Sequence, residues 1–309
     1  MPLRQLTKLV GHDHSVLSRE LSRNTGAHLS YHPDRAQKIS DNRLHQKRKS
    51  KLVKHPLLRE WVESQLKAGL SPEQVAGVLR EAPPPALGGV TISHESIYQY
   101  IYEGEGSDWY RYLRKKHSHR GKKRGRKKHK KSRIPERVPI QCRPKEVDER
   151  KEFGHWESDS MIFSKQKAGL SVQYERCSQL VRITRVEDRS SNETRNALLC
   201  TIESLPKELF KTMTFDNGGE GVCHTMLRHE YDIDTYFCDP YASWQKGGVE
   251  NMNGLIREYL PRTKDLATLT DRDIFDIQER LNNRPRKGLG YRTPNAVIKE
   301  YITNGALLT

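Results

Sequence analysis

Apolar positions in the first hundred residues recur at helical spacing, in short blocks separated by glycine, proline and charge. The block Leu3–Val10 (LRQLTKLV) has this spacing and Gly11 breaks it. Ser15 is placed to cap a second helix through Arg23. Thr7, Gly11 and Leu17 fall at the intervals that a helix-turn-helix uses for its helix contact, tight turn and second-helix core. Residues 34–54 read as a polar, basic helical stretch ending in Gln46-Lys47-Arg48-Lys49-Ser50-Lys51. A helix over 57–66 follows, with Leu58, Trp61, Val62 and Gln65 on one side. Ser71-Pro72-Glu73 opens another, with proline at the first helical position, where its missing N–H costs nothing. Pro83-Pro84-Pro85 and Gly88-Gly89 end it, and Ser93 caps a helix over 94–101. From about Phe153 the period changes. Strands are expected over 153–163, 171–174, 179–186, 212–215 and 235–238, and helices over 192–205, 222–231 and 246–259. Three strands followed by alternating helix and strand predict a mixed α/β layer domain.

Composition adds an asymmetry. The chain has 309 residues, 34% hydrophobic and 30% charged, enough for two or three domains. Its net charge is +16, but residues 1–150 hold 33 Lys and Arg against 16 Asp and Glu, while 151–309 hold 22 against 23. Within 111–133, 14 of 23 residues are Lys or Arg and none is acidic. A uniformly basic, histone-like chain is excluded; a basic anchoring half joined to a near-neutral half is implied. No run approaches the roughly 20 apolar residues of a membrane span, and no leader pattern opens the chain. The five cysteines are widely spaced and form no C-x-x-C pair, so neither a disulfide framework nor a structural zinc site is expected. These features suit a reducing, cytoplasmic, nucleoid-associated location with no membrane partner.

The basic half suggests DNA as its partner. A second helix of the first unit would turn His14, Ser18, Arg19 and Arg23 towards a major groove, although an ordinary αα-hairpin has the same spacing. The helix after Ser93 reads as a second recognition helix, with His94 and Gln99 as groove contacts. The Arg/Lys run, including Lys122, Lys123, Arg124 and Arg126, is expected to order on a polyanion and track the phosphate backbone. Residues 34–54 read equally as a solvated linker helix or a phosphate contact.

The candidate chemistry lies in the near-neutral half. Asp159 sits on the first expected strand, Asp216 at the end of the fourth, and Glu250 on the last core helix, thirty-four residues after Asp216. If the first and fourth strands are neighbours, their ends bring the two aspartates together and the helix adds Glu250 from one side. Few but rigid carboxylates are what Mg²⁺ needs at a phosphodiester, because it prefers oxygen ligands and keeps water and phosphate in its shell. On the helix, Lys246, Glu250, Gly254 and Arg257 share one face and Val249, Met252, Ile256 and Tyr259 the other. That puts the carboxylate between two cations, Lys246 and Arg257, as candidate phosphate contacts. Glu157 shares the strand face of Asp159, either adjusting the site or serving the fold alone. Trp244 reads as a packing anchor or a DNA contact.

Several motifs together carry a resemblance. They are Gly154-His155-Trp156-Glu157 with Asp159, Phe215-Asp216-Asn217-Gly218, Tyr236-Phe237-Cys238-Asp239-Pro240-Tyr241, Trp244-Gln245, Glu250-Asn251, Asn253-Gly254-Leu255 and Tyr259-Leu260-Pro261. Leu281-Asn282-Asn283-Arg284-Pro285-Arg286-Lys287 and Tyr291-Arg292-Thr293-Pro294 extend them, and Ser18-Arg19-Glu20-Leu21, Leu70-Ser71-Pro72-Glu73-Gln74 and Ser96-Ile97-Tyr98 add the basic half. In these motifs the chain resembles bacterial DDE transposases of the IS30 family over nearly its whole length. The resemblance implies an RNase H-like catalytic fold with Asp159, Asp216 and Glu250 as a metal-binding triad. It also implies two Mg²⁺ ions per site, with Mn²⁺ able to substitute. The implied partners are double-stranded DNA, as terminal inverted repeats and target, with a homodimer or higher homo-oligomer on paired ends. Gly221 stands where an aromatic is usual, and Gly248-Val249 where polar residues are common. The usual helix before Leu3 is not in this sequence, which bears on the first helix-turn-helix and not on the triad.

The expected organisation is therefore a multidomain chain. Residues 1–30 form a helix-turn-helix, 31–54 a basic linker helix, 55–104 a second helix-turn-helix and 105–150 a basic linker. Residues 151–262 form an α/β RNase H-like catalytic domain and 263–309 a helical C-terminal extension. The expected function is a transposase that binds terminal inverted repeats and catalyses metal-dependent cleavage and 3′-OH strand transfer. Two alternatives are a DNA-binding regulator with an inactive RNase H-like domain and an RNase H-like nuclease or resolvase.

Overall fold

The computed structural model describes residues 3–25, 31–48, 50–103, 108–113, 134–188, 190–218, 223–240 and 242–306. They divide into two compact units, the first holding residues 1–79 and 83–113 and the second 80–82 and 114–309. The expected contacts Lys122, Lys123, Arg124 and Arg126 lie outside the described residues.

The first unit is helical. Helices α1 (Leu3–Val10) and α2 (His14–Asn24) are joined by a turn in which Gly11 takes φ +68°, the left-handed region that glycine enters at least cost. The cap of α2 is Asp13, not the expected Ser15. The Asp13 carboxylate accepts the Ser15 N–H at 2.8 Å. Asp and Ser are near-equal caps, and the earlier residue reaches the free N–H groups of the first turn. Helix α3 (Pro33–Arg48) is tied to α2 by Arg43, which donates to Asn24 Oδ1 at 2.6 Å.

Four more helices build a separate core: α4 (Lys51–Lys54), α5 (Pro56–Lys67), α6 (Pro72–Glu81) and α7 (His94–Glu103). Leu52, Leu58, Val62, Leu66, Val75, Leu79, Ile97 and Ile101 fill it. Leu52 is wholly buried there, so the end of the supposed basic linker helix belongs to this core. Helix α6 opens with a reciprocal cap, the Gln74 N–H donating to Ser71 Oγ and the Ser71 N–H to Gln74 Oε1. The Ser93 hydroxyl accepts the Ser96 N–H at the start of α7.

The second unit is built on a five-stranded sheet of β1 (His155–Ile162), β2 (Gly169–Glu175), β3 (Val181–Val186), β4 (Thr212–Phe215) and β5 (Asp234–Phe237). The strand order is β3-β2-β1-β4-β5, with β1–β3 antiparallel and β4 and β5 parallel to β1. This is the RNase H-like arrangement. The helices are α8 (Glu146–Glu149), α9 (Ser191–Glu203), α10 (His224–Tyr231), α11 (Gly247–Tyr259), α12 (Asp271–Asn282) and α13 (Pro294–Ala306). One face of the sheet, including Met161, Val172 and Ile183, packs against Val249, Met252 and Ile256 of α11 and Ile274 and Leu281 of α12. The other, with Trp156, Met213 and Phe237, packs against Leu198 and Ile202 of α9, Leu227 of α10 and Ile298 of α13.

Both sheet edges are covered, by segments expected to lie outside this domain. On β3, Asn282 of α12 exchanges two hydrogen bonds with the Val181 backbone, each 2.9 Å, and Gln278 Oε1 accepts the Ile183 N–H at 2.9 Å. On β5, the Phe237 N–H donates to the Val138 carbonyl at 2.9 Å. Residues 134–150 are therefore not a linker: Ile134, Ile140 and Val147 are buried, because an open edge leaves backbone groups that something must satisfy. The C-terminal extension likewise shares the core of the second unit through α12 and α13.

Helix α11 approaches the sheet very closely at its N-terminus. A Cβ on Gly248 would lie 2.8 Å from Cδ1 of Tyr174 and 2.9 Å from Glu157 Oε2. Glu157 is fully buried; it accepts the Val249 N–H at 2.8 Å and pairs with the equally buried Arg176. Among the described residues, no helix is long and apolar enough to cross a membrane.

Two substitutions test these contacts by urea denaturation. Gly248→Ala is expected to lose about 1–3 kcal/mol, the usual cost of overpacking a rigid site. Asn282→Ala strips partners from a buried edge strand and is expected to cost about 1–3 kcal/mol.

Candidate active site

The register of two parallel strands builds the site. Glu157 of β1 lies opposite Thr214 of β4, so two residues further along each strand Asp159 and Asp216 come to matching positions. The pleat turns Asp159 to the same face as Glu157, towards α11. Asp216 ends its strand in a tight turn, its Oδ1 accepting the Gly218 N–H at 2.7 Å. Arg137 holds the loop beyond, donating to Asn217 Oδ1 at 2.9 Å and to the Cys238 carbonyl at 3.0 Å. The Asn217 side chain donates to that same carbonyl at 2.6 Å.

A lysine joins the aspartates. Lys246 ends the short turn that leads into α11, and its side chain is only 5% exposed. Its ammonium donates to the Ser158 carbonyl at 2.8 Å and to Asp159 Oδ1 at 3.0 Å, and lies 3.9 Å from Asp216 Oδ2. Burial alone pushes this ammonium towards neutrality, but Asp159 and Asp216 together outweigh it and hold the lysine above its ordinary range. Lys246 therefore stays charged. The other oxygen of Asp159 accepts from Asn253 Nδ2 at 2.6 Å, while Asn253 Oδ1 is buried without a partner.

Glu250 lies in the first turn of α11, one turn after Lys246, with its side chain exposed. The structure thus brings Asp159 and Asp216 together around Lys246, whereas Glu250 is exposed on α11 and is not brought into contact with them. Among the described residues, no three His, Cys, Asp or Glu side chains converge closely enough to form a ready metal cage.

The two cations expected to flank Glu250 and face phosphate are both engaged within the fold. Lys246 is buried on the aspartates. The Arg257 guanidinium stacks 4.5 Å above the Phe163 ring and donates to the Ile162 carbonyl at 2.8 Å. A long cationic side chain at the end of a packed helix finds carbonyls and an aromatic face nearer than solvent. Trp244, two residues before Lys246, is 74% exposed and is not a packing anchor. Asn253 was missed by the sequence reading, although its signal was present: 246, 250, 253 and 257 form one helical stripe. Arg137 left no local signal, since its partners are 80 and 101 residues away. In the first unit, Ser18, Arg19 and Arg23 on α2 and His94 and Gln99 on α7 are all exposed. Arg19 folds back along its helix to the Ser15 carbonyl at 3.0 Å.

No protein-family profile matches the chain. The transposase for insertion sequence element IS4351 of Bacteroides fragilis is 35% identical over 311 residues, 99% of this chain and 93% of that protein. The transposase for IS1086 of Cupriavidus metallidurans is 33% identical over 98% of this chain and 90% of its own length. Transposase InsI for IS30A of Escherichia coli K12 is 33% identical over 100% of this chain and 80% of its own length. Among solved structures, the HTLV-2 integrase catalytic core domain in complex with magnesium covers 48% of this chain and 97% of its own, at 22% identity and a TM-score of 0.38. The catalytic core domain of BIV integrase covers 49% and 97%, at 19% identity and a TM-score of 0.39. With full-length identity of this order, the chain belongs to the insertion-sequence transposases, in the family that includes the IS30 enzymes.

Proposed function

We propose that this transposase binds the terminal inverted repeats of its own element, cuts a strand at each end and joins the new 3′-hydroxyls to target DNA. The observation that supports this reading is the β1–β4 pairing, which reaches Glu157 opposite Thr214 just before Asp159 and Asp216, together with Lys246 at 3.0 Å from the first aspartate and 3.9 Å from the second.

The donor set suits a hard divalent cation. Asp159, Asp216 and Glu250 offer carboxylate oxygens, and Asn253 Oδ1 is a buried acceptor still without a partner. Asp159, Asp216 and Glu250 would hold Mg²⁺, or Mn²⁺ in its place, as two ions per site. When bound, the metal supplies Lewis acidity at the phosphodiester and lowers the pKa of the attacking water or hydroxyl.

The protein's own contribution is position. Asp159 is fixed from both sides by Lys246 and Asn253, and Asp216 by its turn and by the loop that Arg137 holds. In the first step water attacks phosphorus at the element end, the bond to the 3′ oxygen breaks, and a 3′-hydroxyl is released. In the second step that oxygen attacks a phosphorus of the target and gives up its proton, while the target's own 3′ oxygen departs and takes up a proton as a new 3′-hydroxyl. Holding both strands against a rigid acidic site replaces a bimolecular search with an aligned encounter. Exposed Ser18, Arg19, Arg23, His94 and Gln99 are the proposed DNA contacts of the helical unit, with Lys122, Lys123, Arg124 and Arg126 on the backbone. Two ends must be held together, so the working form is a homodimer or larger.

Asp216→Asn is expected to lower cleavage and joining by about 10³-fold or more while end binding persists, since it removes charge only where the reaction develops it. Appreciable strand transfer by that variant in Mg²⁺ would overturn the assignment. Unchanged nicking without joining by the wild-type chain would indicate a nuclease, and end binding with no turnover in Mn²⁺ an inactive regulator. Residues 1–133, which hold the helical unit and the basic run, should bind DNA with a steep loss of affinity as salt rises. A gel-shift series across salt concentration checks this, and a flat response would remove the electrostatic account.

A further inference from the structure

Lys246 is an unusual residue to find inside an acidic site that faces DNA. An ammonium has three N–H donors and no acceptor. Two of them are donated inside the protein, to the Ser158 carbonyl at 2.8 Å and Asp159 Oδ1 at 3.0 Å, and the ammonium lies at ion-pair distance, 3.9 Å, from Asp216 Oδ2. With 5% of the side chain exposed, the charge is turned to the aspartates and away from solvent. Its position is also imposed. Lys246 directly precedes α11, whose N-terminus is seated on Glu157 through the Val249 N–H and pressed to the sheet at Gly248. The ammonium is thereby delivered to the two strand ends that carry the aspartates.

Without a cation there, Asp159, 23% exposed, and Asp216, 57% exposed, would lie near one another as like charges with nothing between them. We propose that Lys246 is a positioning residue: its ammonium is a resident counter-cation that keeps Asp159 and Asp216 together before metal arrives, and a divalent cation must compete with it for Asp159. This rests on the reading of Asp159 and Asp216 as metal ligands. It makes metal binding deliberately weak in the resting protein and places the lysine on the site's charge balance, not on DNA.

The direction of the effect separates this from a purely structural role. A structural lysine, once lost, loosens the site and weakens metal binding; a competing lysine, once lost, strengthens it. The experiment is calorimetric titration of Mn²⁺ into the full chain without DNA, for wild type, Lys246→Met, Lys246→Gln and Lys246→Arg. Removing the positive charge in Lys246→Met or Lys246→Gln is expected to tighten Mn²⁺ binding by about tenfold, because an unscreened like charge beside the ion is gone. Lys246→Arg keeps the charge and is expected to stay near wild type. In thermal melts with chelator, Lys246→Met is expected to melt below wild type and to gain more from added Mn²⁺.

Unchanged or weaker Mn²⁺ binding by a cooperatively melting Lys246→Met or Lys246→Gln chain would overturn the proposal while leaving the metal-site reading intact. Lys246→Gln keeps a donor to the Ser158 carbonyl, so it supplies the answer should the methionine variant fail to fold. If the wild-type chain takes up Mn²⁺ and Asp159→Asn takes it up equally, the ligand assignment itself falls, and this inference with it.

Discussion

The N-terminus of α11 rests on a carboxylate that solvent does not reach. Glu157 accepts the Val249 N–H with one oxygen and pairs with Arg176 through the other, and Arg176 is itself tied to the Val147 carbonyl at 3.1 Å. Burying a carboxylate is tolerable only where its charge and lone pairs are all met, and losing one partner leaves the other exposed to the full cost. Burial lowers the Arg176 pKa and Glu157 works against that, so each group makes the other's burial affordable. The arrangement also places negative charge at the positive end of the helix. Everything on the reactive face of α11 inherits its position from this anchor, including Lys246 before it and Glu250 and Asn253 within it.

A second constraint is closure of the sheet. Parallel strands β1 and β4 can present two aspartates in register only if the sheet around them is rigid, and an open edge is a place where a sheet slips or recruits another chain. Here α12 meets β3 with the amides of Gln278 and Asn282, and the segment through Val138 meets β5 with its backbone. The same segment brings Arg137 to the loop behind Asp216. Structural closure and placement of the second aspartate are thus accomplished by one stretch of chain.

Much of the fold was legible in the sequence. Strand alternation, the proline-opened α6 and the amphipathic α11 follow from period and spacing, whereas the adjacency of the strands that carry Asp159 and Asp216 is seen only in the β1–β4 pairing. What was not legible had distant partners. Lys246 looks like an outward cation on a helical wheel, yet its partner Asp159 lies 87 residues earlier and draws it inside. Glu157 could be placed on the right strand face but not assigned its helix anchor, which is 92 residues away. Residues 134–150 carry four Lys and Arg against four Asp and Glu and show no regular period, because a segment that covers a sheet edge through its backbone needs no particular side-chain pattern.

The sequence by itself carried the motifs whose resemblance to IS30-family transposases implied the reaction class, and its strongly basic half pointed to nucleic acid. It determined as well that residues 246, 250, 254 and 257 would share a helix face, since that depends only on 3.6 residues per turn. The tertiary structure decided which members of that face meet solvent and which meet the aspartates. That outcome depends on how closely α11 lies against the sheet at Gly248, a distance that no local pattern encodes. Short-range geometry sets the direction in which a side chain leaves its helix; only the packed neighbours determine whether a charge arrives at water, at phosphate or at a buried carboxylate.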